Sequence, residues 1–392
     1  MISSHSAARA GGEPRARPQN NVVLVAANSS FALTNYRLGL LNALQTAGYR
    51  VVAAVPDDEG ASKLEANGVD VRTVPIAPHG TSPVHELRLL YRYVGLLREL
   101  RPRALLGFTI KPNIYGALAA RIARVPVINN VTGLGLVFTR RGPLRWIVGA
   151  LYKIAFRKSY RIFFQNRESR DLFLVLGFVQ EDQALLLPGS GIDLKRFAPG
   201  AARKADEAQF IFLLPSRLMW QKGIAEYCEA ARWFHSNRSG VRFQLLGAIE
   251  PAWNKAAIPK EQVKRWEQEG IEYLGSTDDV RPFFEAADCI VLPSYYPEGV
   301  PRALIEAAAM GKPVITTDTP GCRDVVDPGR TGYICEPRSA ASLASAMKKM
   351  TEHSPGDRSA MGKRAREKAE REFDERLVID AYLAEIAAIA SR

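Results

Sequence analysis

The stretch CIVLPSYYPEGVPRALIEAAAMGKPVITTD, residues 289–318, decides the class of fold. CIVLPS is apolar and rich in β-formers, so it reads as a buried strand. YYPEGV is a loop punctuated by Pro297 and Gly299. PRALIEAAAMG is a helix, with Pro301 fitted to its first position and Gly311 to its end. KPVITTD is the next strand. Two strands, both apolar throughout and joined by a helix, predict a parallel pair in a sheet covered on both faces. The unit also carries two acids, Glu298 in the loop and Glu306 in the helix, with seven residues between them. A helix N-terminus offers free N–H groups and partial positive charge to a phosphate, here from Val300, Arg302 and Ala303. The acids do not bind phosphate; they accept hydrogen bonds from hydroxyls on either side of it. On spacing alone, a loop glutamate and a solvated helical glutamate explain the pair equally well.

The same alternation extends in both directions. QFIFLLPSRLMWQKG (209–223), VRFQLLGAIE (241–250) and IEYLGS (271–276) precede the stretch. In the first half NVVLVAANSS (21–30), RVVAAVP (50–56), VDVRTVPI (69–76), RALLGFTI (103–110) and PVINNVTG (126–133) are strands with helical patterns between them. The chain of 392 residues is too long for one ordinary core. The expected architecture is α/β, two facing Rossmann-like domains with parallel sheets. A disordered basic tail fills 1–20, the first domain 21–190 and the second 191–372, and the Pro/Gly/Ser-rich LLLPGSGIDLKRFAPG (185–200) is the junction. In such sheets ligands bind beyond the carboxyl ends of the strands, so the cleft between domains is the expected site.

Composition bounds the function. The apolar fraction of 47% and charged fraction of 24% suit a globular protein. No apolar run reaches the ~18 residues that span a bilayer, and MISSHSAARAGGEPRARPQN lacks the apolar region of a signal peptide. Cys228, Cys289, Cys322 and Cys335 lack metal-ligand spacing and read as reduced thiols of a cytoplasmic protein. Lys and Arg number 53 against 41 acids, for a net charge of +12. Between Glu99 and Glu168 there are thirteen Lys or Arg and no acid. A field of that sign attracts phosphates.

SRLMWQKG supplies the basic partner of the two acids. Arg217 and Lys222 follow the first strand of the second half, where a fixed cation stabilises a diphosphate as it leaves. Taken alone, Lys222-Gly223 reads more simply as the start of a surface helix. Together with YLGSTDDVRPFFEAADCIVLPSYYPEGVPRALIEAAAMGKPVITTDTPGCRDVV (273–326) and GRTGYICEP (329–337), these residues resemble glycosyltransferase family 4, the retaining group with the GT-B fold. The resemblance covers nearly the whole chain from Asn21. It implies that Glu298 contacts the donor sugar near the reacting carbon, that Glu306 holds the nucleotide ribose, and that Arg217 and Lys222 hold the diphosphate. Gly299, Val300, Arg302 and Leu274 complete the implied donor site. It also implies a C-terminal helix, 373–392, packing back on the first domain.

The first half narrows the expectation. GTSPVHELRLLYRY (80–93) and IKPNIYGALAARIARVPVINNVTGLGLVFT (110–139) resemble the bacterial branch that adds sugars to undecaprenyl-diphosphate-linked glycans of capsule, O-antigen and glycoprotein. Many relatives carry a histidine where this chain has Ile110, so Lys111 is the ionisable group available there. His79 and His85 lie in another loop and read as structural or exposed. VTGLGLVF, with Gly133 and Gly135, reads as a loop of close backbone approach near the cleft. RRGPLRWIVGALYKIAFRKSYRIFF (140–164) is helical, with Leu144, Ile147, Val148, Leu151, Ile154 and Ala155 on one stripe and Trp146, Lys153, Arg157, Tyr160 and Arg161 on another face. With Arg140, Arg141 and Arg145 it reads as an acceptor-side or membrane-surface element, the alternative being a core helix with a solvated side.

The function expected is therefore transfer of a sugar, an N-acetylhexosamine or hexose, from a UDP-sugar to a polyprenyl-diphosphate-linked acceptor by a peripheral enzyme on the inner face of the cell membrane. No Asp-x-Asp triplet occurs in the chain, so a metal-independent mechanism without cofactor is expected. A nucleotide-sugar epimerase of the same architecture and a transferase with a soluble acceptor are the alternatives. A nucleic-acid-binding protein would explain the charge but not the four site residues, and no such module is present. ANSSFALTN lacks the glycine fingerprint of an NAD enzyme.

Overall fold

The structure is a computed structural model that describes residues 21–76, 82–133, 143–200, 209–237, 240–251 and 253–390. Among the described residues the first sheet has seven strands: β1 (Val22–Ala26), β2 (Arg50–Val55), β3 (Asp70–Thr73), β4 (Ala104–Phe108), β5 (Val127–Val131), β6 (Arg161–Phe164) and β7 (Ala184–Leu186). Their order is β3-β2-β1-β4-β5-β6-β7. The second has six: β8 (Phe210–Pro215), β9 (Val241–Leu246), β10 (Ile271–Tyr273), β11 (Cys289–Leu292), β12 (Val314–Thr317) and β13 (Gly332–Cys335), in the order β10-β9-β8-β11-β12-β13. Every pairing is parallel. Helices cover both faces, which is why strands such as VVLVA and CIVL are buried along their whole length.

In each sheet the strand order reverses once, between β1 and β4 and between β8 and β11. Loops leaving two such neighbours diverge to opposite faces and open a crevice between them. Ser216 and Arg217 follow β8, and Ser294 to Gly299 follow β11, so both loops of the opening stretch's neighbourhood enter the second domain's crevice.

Two chain segments cross between the sheets and pair with each other. Ile192 N–H donates to the Phe373 carbonyl at 2.8 Å, and Glu375 N–H donates to the Ile192 carbonyl at 3.0 Å. The helix Glu375–Ala390 then packs against the first sheet. Val378, Tyr382 and Ile386 are buried with β1, β4 and β6 residues, and Asn130 Nδ2 donates to the Tyr382 hydroxyl at 2.9 Å.

The stretch from Arg140 to Phe164 is not one helix. The helix is Pro143–Phe156, and Arg161–Phe164 is β6, with Tyr160 N–H donating to Val127 O. Tyr160 and Arg161 therefore do not share a helical face with Lys153. The apolar stripe is also rotated from the expected one. Tyr152, Ala155 and Phe156 are buried, whereas Ile147 and Ile154 stand exposed beside Trp146, which is 79% exposed. Arg140, Arg141, His79 and Gly135 lie outside the described residues.

Candidate active site

A cleft of about 630 Å³ lies between the two sheets. From the first domain it receives Phe31, Asn35 and Tyr36, on the helix Ser30–Tyr36 that follows β1. From the second it receives Ser216, Arg217 and Lys222 after β8, Ser276 to Asp279 after β10, and Glu298, Arg302 and Glu306 after β11. Arg196 and Phe197 of the crossing segment close one side.

Lys222 ends a short 3-10 turn, Trp220–Lys222, and is buried. Its ammonium donates to both oxygens of Glu298, at 2.7 and 2.8 Å, and sits 5.5 Å from the centre of the Tyr296 ring. Ser294 Oγ donates to Glu298 Oε1 at 2.9 Å. The carboxylate is thus fixed by three hydrogen bonds from two side chains, one on each loop of the crevice. Charge-assisted bonds of this kind hold a group far more tightly than neutral ones.

One turn into the helix Arg302–Ala309, a second pair repeats the arrangement. Arg302 Nε donates to Glu306 Oε1 at 2.9 Å, and Arg302 Nη1 reaches Ser190 Oγ at 3.3 Å and the Gly191 carbonyl at 3.2 Å. Burial pushes the Glu306 carboxyl above its usual range, with the Arg302 charge opposing. Burial likewise raises the Tyr36 hydroxyl, and the Glu306 charge adds to it. Pro301 is the cap of this helix, one position before the expected first turn, and Gly311 ends it in the left-handed conformation. Arg217 Nη1 meets Glu250 Oε1 at 3.3 Å, and its side chain is 58% exposed to the cleft.

The lining acids are all paired: Glu298 with Lys222, Glu306 with Arg302, Asp279 with Arg281, and Asp278 with Lys63 of the first domain. The last bond is exposed on both sides and contributes little. Arg196, by contrast, carries no carboxylate partner among the described residues and stacks at 5.5 Å on Phe197. The arrangement offers hydroxyl-accepting carboxylates flanked by cations and by the N–H groups of a helix end. That combination suits a ligand with hydroxyls on both sides of a phosphate.

The structure places most of the expected residues together: Glu298, Glu306, Arg217, Lys222 and Arg302 line one cleft. Val300 is buried beside them, and Gly299 packs against the first domain. Leu274 does not line the cleft; it packs against the second core, with its N–H on the Leu245 carbonyl. Lys111 lies off the cleft as well, in a buried ion pair with Glu86. Gly133 does come against the Glu298 backbone, where an added Cβ would stand 2.9 Å from Glu298 Cα. Arg196 and Tyr36 are at the site without having been expected there. The Arg302–Glu306 pair had a readable signal, since residues four apart meet on one helix face.

Two family models match the chain. One, described as a glycosyl transferase 4-like domain, covers residues 32–189, and the other, described as glycosyl transferases group 1, covers residues 200–368. The chain belongs to glycosyltransferase family 4, of the GT-B fold. Relatives of this glycosyltransferase include the N,N'-diacetylbacillosaminyl-diphospho-undecaprenol alpha-1,3-N-acetylgalactosaminyltransferase of Campylobacter jejuni. It is 25% identical over 90% of this chain and 94% of that protein. The UDP-Gal:alpha-D-GlcNAc-diphosphoundecaprenol alpha-1,3-galactosyltransferase of Escherichia coli is 26% identical over 71% of this chain and 74% of that protein. Among solved structures, a glycosyltransferase from Rickettsia africae superposes with a TM-score of 0.76 at 18% identity, covering 95% of this chain and 99% of that one. Anabaena HepE in complex with UDP and glucose gives a TM-score of 0.75 at 19% identity, covering 94% and 99%. These likenesses concern the fold.

Proposed function

We propose that this glycosyltransferase moves a sugar from a UDP-sugar to a hydroxyl of an undecaprenyl-diphosphate-linked glycan, with retention of configuration, in the assembly of a surface polysaccharide or glycoprotein glycan. The observation that carries the reading is the pair of gripped carboxylates, Glu298 on Lys222 and Glu306 on Arg302, at the strand-order reversal of the second domain. The acceptor class is supported by what the Campylobacter and Escherichia relatives are named to act on.

In this reading Lys222, Arg217 and the N–H groups of Arg302 and Ala303 take the diphosphate. Glu298 accepts from a donor-sugar hydroxyl and Glu306 from a ribose hydroxyl. The sugar's bond to the UDP phosphate oxygen breaks as its bond to the acceptor oxygen forms, on the same face, and the acceptor proton passes to the leaving phosphate. The cations stabilise the charge that develops on that phosphate.

The first domain supplies the side that meets the membrane. Trp146, Ile147 and Ile154 project from the helix Pro143–Phe156, next to a hollow of about 360 Å³ lined by Arg121, Lys153 and Arg157. Exposed aromatic and aliphatic side chains beside cations that have no carboxylate partner among the described residues suit an anionic bilayer surface. We place the enzyme there, on the inner face of the cell membrane.

The test is release of UDP by purified protein, in EDTA, from a panel of UDP-sugars with and without an undecaprenyl-diphosphate-sugar in anionic or zwitterionic vesicles. Acceptor-dependent release from one donor, faster on anionic vesicles, supports the reading. Release indifferent to acceptor, or from no donor, overturns it.

Glu306 gives the site a pH signature. A ribose hydroxyl donates well only to the ionised carboxylate, and burial makes Glu306 protonate at a higher pH than an exposed glutamate. Donor KM therefore climbs as pH falls through that raised value. Glu306→Gln flattens the climb and holds KM roughly 10–100-fold high at neutral pH, the worth of a hydrogen bond to a charged group. A parallel pH profile in both proteins would remove Glu306 from the donor site.

A further inference from the structure

The peptide unit joining Glu298 to Gly299 belongs to the second domain, yet both its polar groups are bonded to the first. The Gly299 N–H donates to the Thr132 carbonyl at 2.9 Å, and the Glu298 carbonyl accepts from Asn166 Nδ2 at 3.2 Å. A peptide plane held at both ends cannot rotate, and the Glu298 side chain leaves the chain at its edge. The contact is close as well as bonded. An added Cβ at Gly299 would stand 2.1 Å from Gln165 Oε1 and 2.7 Å from Thr132 O.

The first domain's half of this contact is itself rigid. Asn166 is buried and caps the helix Arg167–Val175, its Oδ1 accepting from the Ser169 N–H at 2.8 Å. One side chain therefore spends its oxygen on the helix and its amide on the loop of Glu298. Beside it Gln165 is buried, with Nε2 3.5 Å from Asn130 Oδ1, and Asn130 in turn holds Tyr382 of the C-terminal helix.

We propose that Asn166 is a positioning residue: with the Thr132 carbonyl it forms an interdomain clasp that fixes Glu298 in its working orientation only when the two domains are closed on each other. The cations and the helix end that hold the diphosphate all belong to the second domain, and among the described residues none of them bonds to Asn166 or to the Thr132 carbonyl. UDP binding thus stays independent of Asn166 while turnover depends on it. This rests on the reading of Glu298 given above.

Asn166→Asp separates the two jobs of the side chain, because an aspartate still caps the helix but has no N–H for the Glu298 carbonyl. The expected result is an unchanged melting temperature, an unchanged UDP dissociation constant by calorimetry, and kcat lowered about tenfold or more, as misplacement of a reacting group requires. Hydrogen exchange provides an arm that needs no turnover: amides of the 297–300 segment exchange faster in Asn166→Asp, and those of the helix Arg167–Val175 do not. Unchanged exchange in 297–300 overturns the clasp, as does kcat within twofold of wild type. A loss of UDP affinity equal to the loss in kcat overturns it too, since a merely structural role moves both. Where the wild type turns over no UDP-sugar, the failure is that of the proposed reaction, and the exchange arm alone decides the clasp.

Discussion

Lys222→Ala is expected to lower kcat by about 10²–10³-fold, the loss seen when one fixed donor to a developing anion is removed. Lys222 carries two burdens. It is the buried cation of the crevice, and it holds both oxygens of Glu298. Truncation leaves Glu298 with Ser294 as its side-chain donor, so the carboxylate loses its direction along with its counter-charge. Removing one partner of a fully buried pair costs stability of about 3–5 kcal/mol, but this pair borders an open cleft and water can reach the stranded carboxylate. The thermal midpoint should therefore move far less than the rate. Lys222→Arg is expected to restore little, because a planar fork cannot occupy the compact position of an ammonium over the Tyr296 ring. The double variant with Glu298→Gln should fall well short of the summed single losses, since the two residues act as one unit. UDP release in Lys222→Ala within threefold of wild type would remove this lysine from the mechanism.

What could be read from residues alone follows from how each part is determined. Strands β8, β9, β11 and β12 are buried on both faces, so FIFLLP, VRFQLL, CIVL and VITT announce themselves as apolar runs. RIFF of β6 does not, because it follows directly on a helical pattern whose period runs into it; ALL of β7 is too short to stand out from the junction it runs into, and the glycine at the head of GYIC blurs β13. Within the site, Glu298, Glu306, Arg217 and Lys222 sit at fixed offsets from a strand end, so local spacing marks them as candidates, and it took the family resemblance to single them out from a solvated helix face and a surface helix start. Arg196 and Tyr36 reach the cleft only through the crossing segment and the opposite domain. No period marks a residue whose neighbours are set by the meeting of two domains. The same applies to Lys111: the turn that bears it was identifiable, but the buried partner Glu86 comes from another helix and draws the ammonium away from the cleft.

The crevice is also held from behind, and this gives the second large effect. Gly321 has φ +82°, and an added Cβ would stand 1.6 Å from the Gly299 carbonyl oxygen. The loop that carries it already grips the other side of the crevice, where Thr319 Oγ1 donates to the Ser294 carbonyl at 3.2 Å. Gly321→Ala must open the gap from 1.6 Å to at least 3.0 Å, and the atom in the way is backbone, so it cannot swing aside. If the Glu298 loop yields, it moves by more than the roughly 1 Å that costs about 100-fold in rate; if the Gly321 loop yields, it pulls on Ser294, a donor to Glu298, through Thr319. Left-handed strain of about 1–2 kcal/mol and overpacking of about 1–3 kcal/mol add on the side of stability. For a domain of this size that sum lowers the melting temperature by roughly 5–15 °C. Gly329 supplies the control: its φ is +75°, but nothing lies within 4 Å of an added Cβ. Gly329→Ala should show the strain alone, a drop of a few degrees with kcat near wild type. If Gly321→Ala behaves like Gly329→Ala in both melting and UDP release, the tight seat of the Glu298 loop against Gly321 is not what holds the site in register.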